Sequence, residues 1–276
     1  MYPEVSDSNQ KLIFAAIQMN STAVLQENLD CARGLIEQAG AAGADIVVLP
    51  ENFSLMSATS SQRRDAAERA NEVEAMLSRV ARDQGVVIVG GSTPLPAVDG
   101  RVTNTCLVFD RSGERIGRYD KMHLFDVSVS AEESYQESSY IAPGDSPLAV
   151  TTEGLTLGIT ICYDLRFPEL YRYLGEAGAE IFTVPSAFTV PTGRAHWHTL
   201  LRARAVENLA WVIAPAQVGT HSGKRKTFGH SLIIDPWGDI LAEHAGGPGV
   251  ILAEVDRDRA RKKRHQFPVL DHKVMK

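Results

Sequence analysis

The sequence AAGADIVVLP at residues 41–50 returns in altered form as EAGAEIFTVP at residues 176–185. Each copy passes from a stretch of helical composition through a glycine into a short apolar strand that ends on proline. A second pair follows in the same order, because CLVFD at residues 106–110 is matched by SLIID at residues 231–235. A chain built from two similar strand and helix units most economically forms two sheets packed face to face with helices outside. The alternative is chance similarity between two helix-to-strand junctions.

Around these repeats, runs rich in Ile, Val and Thr alternate with longer segments of helical composition, which is typical of an α/β architecture. No linker or low-complexity tract divides the chain, so we expect one pseudo-symmetric domain over residues 11–272 after a short extension over residues 1–10. Strands are predicted at residues 12–19, 45–49, 86–90, 103–109, 155–162, 181–184, 210–214, 231–234 and 250–255. Helices are predicted from a cap at Ser21 or Thr22 to about Ala39, and at residues 61–84, 168–177 and 194–208.

The composition excludes several classes of protein. Of 276 residues, 44% are hydrophobic and 22% charged, unlike disordered or collagen-like chains. With 28 Lys and Arg against 34 Asp and Glu, the net charge of −6 offers no footprint for nucleic acid or an anionic membrane. The uncharged stretch at residues 209–223 is too short for a membrane anchor, and we expect no secretory signal from residues 1–7. Three widely spaced cysteines fit neither a disulfide framework nor a CxxC metal site, so we expect a reducing, cytoplasmic location.

Cys162 ends a predicted strand and lies just before Pro168, which opens a helix. A strand, a sharp turn and a helix that meet at a thiol can hold a nucleophile beside backbone N–H groups that bind an oxyanion. The alternative is that Cys162 is a buried packing residue, as we expect for Cys31 and Cys106.

Glu51 and Lys121 complete a chemically coherent set with this thiol. Glu51 follows an apolar strand and Pro50, where partial burial suits a carboxylate to proton transfer near neutral pH. A carboxylate can accept the thiol proton, while an ammonium stabilises the thiolate and the oxyanion formed on attack at a carbonyl. Taken singly, Glu51 is equally well explained as a helix cap or an exposed turn carboxylate, and Lys121 as a solvated lysine.

Three motifs resemble the nitrilase superfamily of carbon-nitrogen hydrolases: LPEN at residues 49–52, YDKMHLFD at residues 119–126 and GITICYDLRFPE at residues 158–169. The resemblance implies a four-layer αββα sandwich whose subunits pair through their sheets into a homodimer or higher oligomer. It also implies a catalytic set of Glu51 as proton acceptor, Lys121 as proton donor or oxyanion stabiliser, and Cys162 as nucleophile. The family's second glutamate corresponds to Glu137, upstream of a Pro-Gly turn, with Glu132 and Glu133 as competitors of less fitting spacing.

Within the superfamily, the tracts at residues 185–197, 201–208, 215–219 and 229–238 are similar to the branch that contains deaminated glutathione amidase and omega-amidase. Tyr163 supports this placement, since true nitrilases usually carry Cys-Trp-Glu at the nucleophile. The resemblance implies hydrolysis of a primary carboxamide of a small anionic 2-oxo acid to carboxylate and ammonia through a thioester, with deaminated glutathione preferred. The alternatives are omega-amidase action on 2-oxoglutaramate or 2-oxosuccinamate, or a catalytically silent binding member of the fold.

The other candidate residues concern substrate, metal and subunit contacts. We expect Tyr163, Thr192, Arg194 and His196 to contact the substrate, and Arg166 and Glu169 to form structural pairs. We expect no cofactor and no metal, because His196 and His198 lie about 200° apart around a helix. The basic stretch at residues 257–265 is interpreted as a solvated helix or tail with a possible role in subunit contact. The cations considered for substrate carboxylates are Arg194, Lys224, Arg225 and Lys226.

Overall fold

Two β-sheets form the centre of the molecule in the computed structural model, which describes residues 11–56, 59–129, 134–222 and 225–274. The strands are β1 Lys11–Gln18, β2 Ile46–Val48, β3 Val87–Val89, β4 Thr93–Pro96, β5 Val102–Phe109, β6 Arg115–Asp120, β7 Asp126–Ser128, β8 Ser134–Gln136, β9 Leu148–Thr152, β10 Leu155–Ile159, β11 Ile181–Thr183, β12 Trp211–Ala214, β13 Val218–Thr220, β14 Lys226–Phe228, β15 Ser231–Ile234, β16 Ile240–His244 and β17 Gly249–Asp256. The helices are α1 Leu25–Ala41, α2 Ser60–Glu68, α3 Ala70–Gln84, α4 Pro168–Glu176, α5 Val190–Asn208 and α6 Arg257–Gln266.

The order of strands in the two sheets agrees with the sequence repeat. The first sheet has the order β17-β1-β2-β3-β5-β4, with β6 also paired to β5, and the second has the order β16-β15-β12-β11-β10-β9. In the first sheet, β2 lies between two parallel neighbours and β3 then pairs antiparallel with β5. In the second, β11 lies between two parallel neighbours and β12 then pairs antiparallel with β15. The repeated segments therefore occupy equivalent places, and the predicted internal pseudo-symmetry is confirmed.

Alternation along the strands produces the layers. On β1, Phe14 belongs to the apolar cluster between the sheets, whereas Ile17 packs with the helices on the outer face. This follows from the two-residue period of a strand, which sends successive side chains to opposite faces. Helices α1 and α3 cover the first sheet through Ile36 and Leu77, while α4 and α5 pack on strands of the second. Burial of each such side chain contributes about 1.5–3 kcal/mol to the free energy of folding. The predicted αββα sandwich is confirmed.

Three predicted helices have different bounds in the structure. The helix predicted at residues 61–84 is two helices, because the backbone at Arg69, with φ −101° and ψ 18°, leaves helical geometry between α2 and α3. Helix α1 begins at Leu25 rather than near Thr22, because Thr22 bonds to the side chain of Asn28 instead. Helix α5 begins four residues before Arg194, where the Thr189 side chain accepts the N–H of Thr192.

The strand predicted at residues 155–162 ends at Ile159, and Cys162 begins a short 3₁₀ turn. The N–H of Cys162 still donates to the carbonyl of Pro185 at 2.9 Å, but the ladder ends there because proline has no N–H to donate in return. The sequence prediction also missed short or half-exposed strands whose apolar alternation is weak. These are β4, β6, β7, β8, β9, β13, β14 and β16.

The basic C-terminal stretch forms α6, which is held against its own chain. Arg261 pairs with Glu180 at 2.7 Å, and Arg264 donates to the carbonyls of Ala179 and Leu209. This helix therefore lies against the segments that lead into β11 and β12. Among the described residues, no helix is both long and apolar enough to cross a membrane.

Candidate active site

Four titratable side chains from four separate segments meet in one buried cluster. Glu51 follows β2, Lys121 follows β6, Glu137 opens a 3₁₀ turn after β8, and Cys162 lies beyond the end of β10. Their exposed fractions are 2%, 1%, 8% and 7%, respectively. The structure thus brings together the three residues of the predicted catalytic set and the predicted second glutamate, although they lie up to 111 positions apart in the sequence.

Lys121 lies between two carboxylates. Its Nζ is 2.8 Å from Oε1 of Glu51 and 2.9 Å from Oε2 of Glu137. Glu137 is oriented by the backbone N–H of Phe125, which donates to Oε2 at 2.7 Å. Burial alone would lower the pKa of Lys121, but the charges of Glu137 and Glu51 raise it well above the ordinary value. Lys121 is therefore an ammonium at neutral pH.

Glu51 and Cys162 hold opposite protonation states. Burial tends to raise the pKa of Glu51, yet the charge of Lys121 and hydrogen bonds from Lys121 and Cys162 leave that pKa below its ordinary value. Burial, and then the negative charge of Glu51, raise the pKa of the Cys162 thiol. The resting site accordingly contains a carboxylate at Glu51 and a protonated thiol at Cys162, the arrangement of a base beside an unactivated nucleophile.

The turn that carries Cys162 is held by Asp164, a residue that the sequence analysis quoted but gave no role. Asp164 is fully buried, and its Oδ2 accepts from the Tyr119 hydroxyl at 2.7 Å and from the N–H of Ile161 at 2.8 Å. Its Oδ1 lies 2.7 Å from Nδ1 of His123. These bonds support the backbone of Cys162 at φ 50°, a left-handed conformation that side chains rarely adopt.

The cluster lies in a pocket whose wall carries three arginines and several aromatic rings. Arg63 lies over the Tyr140 ring at 4.1 Å, and Arg225 over the Tyr135 ring at 5.1 Å. Arg166 lies 5.5 Å from the Phe188 ring and 5.8 Å from the Tyr163 ring. Such a pocket favours an anionic ligand.

Only two of the four predicted substrate contacts lie in the pocket. Tyr163 and Thr192 line the pocket, whereas Arg194 and His196 do not, because their positions on α5 face solvent. Of the cations considered for carboxylates, Arg225 lines the pocket, Lys226 does not, and Lys224 lies outside the described residues. Glu132 and Glu133, the competitors of Glu137, also lie outside them.

Arg166 was expected to form a structural pair, and its guanidinium lies 3.3 Å from Nδ1 of His196. Sequence reasoning also missed Arg63 and Asn104. Asn104 lies in the fully buried strand β5, and the available signal was an asparagine within a strand pattern, where asparagine is uncommon.

Asn104 contacts the catalytic cluster twice. Its Nδ2 donates to Oε1 of Glu51 at 3.1 Å, and its backbone carbonyl accepts the N–H of Lys121 at 2.9 Å. Because Lys121 and Asn104 both hold the same carboxylate oxygen, the carboxylate of Glu51 has a defined orientation.

An αββα sandwich with a buried Glu-Lys-Cys cluster at strand ends defines a class of hydrolase. The carbon-nitrogen hydrolase family model matches residues 14–265. The chain belongs to this family, the nitrilase superfamily, and is a hydrolase of carbon–nitrogen bonds other than peptide bonds.

Within this class of hydrolase, the chain is similar to amidases. The deaminated glutathione amidase of Synechocystis sp. is 44% identical over 264 residues, which cover 94% of this chain and 97% of that protein. The crystal structure of the Caenorhabditis elegans NitFhit protein superposes with a TM-score of 0.91 at 35% identity over 96% of this chain, which spans 65% of that longer chain. A mutant amidase from Nesterenkonia sp. AN1, with acrylamide added at its active-site cysteine, has a TM-score of 0.78 at 27% identity, covering 93% of this chain and 98% of its own. This chain is accordingly similar to amidases along nearly its whole length.

Proposed function

We propose that this protein is a cysteine-dependent amidase that hydrolyses an amide of an anionic 2-oxo acid, with deaminated glutathione as the preferred substrate. The observation that carries the proposal is the buried Glu51–Lys121–Glu137 network beside Cys162, in a pocket with three arginines on its wall. A catalytically silent binding protein would have no need of a lysine held between two buried carboxylates, since burying charged groups is costly.

In the first half of the reaction, Glu51 accepts the Cys162 proton as the sulfur attacks the amide carbonyl. The raised pKa of the thiol and the lowered pKa of Glu51 make a preformed thiolate unfavourable, so proton transfer accompanies attack. Lys121 and the backbone N–H of Tyr163 stabilise the oxyanion. The C–N bond then breaks, the leaving nitrogen takes the proton that Glu51 had accepted, and a thioester forms on Cys162.

In the second half, water hydrolyses the thioester. Glu51, charged again, accepts a proton from the water as it attacks the thioester carbonyl. Lys121 again stabilises the oxyanion, and the C–S bond then breaks, so that the Cys162 sulfur takes the proton back from Glu51 as the carboxylic acid is released. Glu137 acts as a positioning residue, since it holds the Lys121 ammonium beside Glu51.

The substrate is proposed from the charges of the pocket together with the names of the relatives. Deaminated glutathione is glutathione in which a keto oxygen replaces the α-amino group of the γ-glutamyl residue, so it has a carboxylate at each end. Three guanidinium groups, those of Arg63, Arg166 and Arg225, exceed what the single carboxylate of 2-oxoglutaramate needs. They suit a longer dianion whose two ends both require a cation.

Deaminated glutathione does not agree with one part of the prediction from sequence, namely that the reacting amide is primary and releases ammonia. The reacting amide of deaminated glutathione is secondary, so its hydrolysis yields 2-oxoglutarate and cysteinylglycine rather than ammonia. Ammonia release remains the signature of the alternative, omega-amidase action on 2-oxoglutaramate. The identity of the nitrogen product therefore separates the two substrates.

The test compares deaminated glutathione, 2-oxoglutaramate and a simple nitrile, with 2-oxoglutarate, cysteinylglycine and ammonia measured as products. We expect the highest kcat/KM for deaminated glutathione, and mass spectrometry of quenched enzyme should detect an acyl adduct on Cys162. The Cys162→Ala variant should show neither turnover nor adduct. A higher kcat/KM for 2-oxoglutaramate would reassign the substrate, and turnover by Cys162→Ala would refute the mechanism.

We also propose a cytoplasmic location and a homodimeric or higher assembly. All three cysteines are free thiols in the structure, and a catalytic thiol needs a reducing compartment. Light scattering of the purified chain measures the assembly directly, and a monomeric mass would refute that part.

A further inference from the structure

A second cluster of functional side chains lies outside the pocket. In the part of the chain that the structure describes, His198 on α5, His230 before β15 and Glu243 on β16 place one ligand atom each within 4.8 Å of one another. None of the three lines the active-site pocket. Their partly exposed side chains are open to ions from solvent.

The two imidazoles converge on one carboxylate oxygen. Nε2 of His198 is 3.0 Å and Nδ1 of His230 is 2.6 Å from Oε1 of Glu243. An ion bound by two nitrogens and one oxygen at about 2.0–2.1 Å separates its ligands by about 3.3 Å in tetrahedral geometry. Each of these separations would have to grow by less than about 1 Å, within the reach of side-chain rotation.

Contacts of its backbone and its ring hold His230 in place. Its backbone has φ 59°, a conformation that is rare for a residue with a side chain. The carbonyl of His230 accepts the indole N–H of Trp197 at 2.8 Å, and its ring stacks on Phe228 with centroids 4.2 Å apart. Strained backbone of this kind is held by its surroundings and concentrates at functional sites.

From this geometry we propose that His198, His230 and Glu243 form a binding site for a divalent transition-metal ion such as Zn²⁺. Two imidazoles and one carboxylate are ligands that favour Zn²⁺, Co²⁺ or Ni²⁺ over Mg²⁺ and Ca²⁺, which require oxygen ligands. Water completes the coordination. His196 cannot share this ion with His198, because helix geometry separates the two side chains, and the partners of His198 are distant in sequence.

An ion at this site would join α5 to β16. Helix α5 begins at the pocket, where Thr192 lies in the wall, and Phe228 packs against Gly193 of the same helix. The ion would therefore brace the segment behind the pocket without contacting substrate. Its expected effect is a higher melting temperature, because a ligand that binds only the folded state stabilises it.

The test is Zn²⁺ titration by calorimetry and Co²⁺ absorption, both in a Cys162→Ala background that removes the active-site thiol as a competing ligand. We expect one ion per chain and a rise in melting temperature that EDTA reverses. His198→Ala and Glu243→Ala should each weaken binding by at least about tenfold. His196→Ala is the matched control, since His196 is an exposed histidine two positions away on the same helix.

Three results would overturn the proposal: no bound ion in the Cys162→Ala protein, unchanged affinity in His198→Ala, or an equal loss in His196→Ala. Should His198→Ala fail to fold, His198→Gln replaces it, with circular dichroism as the check. Mg²⁺ should produce no shift in melting temperature, and a shift as large as that with Zn²⁺ would also contradict the proposed ligand set.

Discussion

Replacing Glu137 by glutamine should distinguish the effect of the negative charge beside Lys121 from the effect of the hydrogen bond that Lys121 donates there. The Glu137→Gln side chain keeps the shape and one acceptor but loses the negative charge 2.9 Å from Nζ of Lys121. At an effective dielectric constant of about 20, two unit charges at this distance attract by about 6 kcal/mol. Desolvation of the carboxylate offsets much of that energy, which leaves about 1.5–3 kcal/mol for a hydrogen bond to a charged group.

If this energy orients Lys121 in the transition state, kcat should fall by about 10- to 150-fold. The pH profile should change as well. The negative charge of Glu137 raises the pKa of Lys121, so its removal lowers that pKa and moves the alkaline limb of activity to lower pH. KM should change little, because Glu137 holds the lysine rather than the substrate. The assay is steady-state formation of 2-oxoglutarate from deaminated glutathione as a function of pH.

Glu180→Gln supplies the matched control. Glu180 has the same exposed fraction as Glu137, 8%, and pairs with Arg261 far from the pocket. This control should lower the melting temperature while leaving kcat and the pH profile unchanged. A Glu137→Gln enzyme with wild-type kcat and an unshifted alkaline limb would refute the role of its charge, as would an equal loss of kcat in Glu180→Gln.

Two further predictions concern binding and the nucleophile turn. Arg166→Gln and Arg225→Gln should each raise KM for deaminated glutathione by about tenfold or more, the value of a charge-assisted hydrogen bond, with Arg194→Gln unchanged because Arg194 faces solvent. Steady-state kinetics of the three variants decides this, and an equal effect of Arg194→Gln would contradict it. Asp164→Asn should cost about 3–5 kcal/mol of unfolding free energy by disrupting the buried bonds to Tyr119 and Ile161. Urea denaturation measures that loss, and a change under about 1 kcal/mol would show that the turn does not need the charge.

Much of the fold follows from local patterns in the sequence. The repeat at residues 41–50 and 176–185 correctly indicated two related halves, because a glycine-to-strand junction has a local signature. Strand β2 and its counterpart β11 are apolar on both faces, as strands buried in a parallel arrangement must be. Strands β6 and β16 are largely exposed, so their apolar alternation is weak and the sequence did not predict them.

For the candidate site as well, the sequence predicted some features and the tertiary structure was needed for others. Glu51, Lys121 and Cys162 stand in motifs that each suggest chemistry, and their resemblance to one family suggested that they act together. Their assembly is a property of the sheets, which bring ends of distant strands to one edge. The protonation states depend on that assembly, since burial and the neighbouring charges determine the pKa of each group.

The sequence by itself determined the class of fold and the family, because strand periodicity and short motifs are local features of the chain. Only the tertiary structure decided which arginines line the pocket. Arg63, Arg166 and Arg225 come from separate segments and line one pocket, whereas Arg194, beside the predicted contact Thr192, turns to solvent. The physical reason is that a helix rotates each successive side chain by about 100°, so neighbours in sequence face different surroundings. Residues far apart in sequence meet only when the packed layers bring them together.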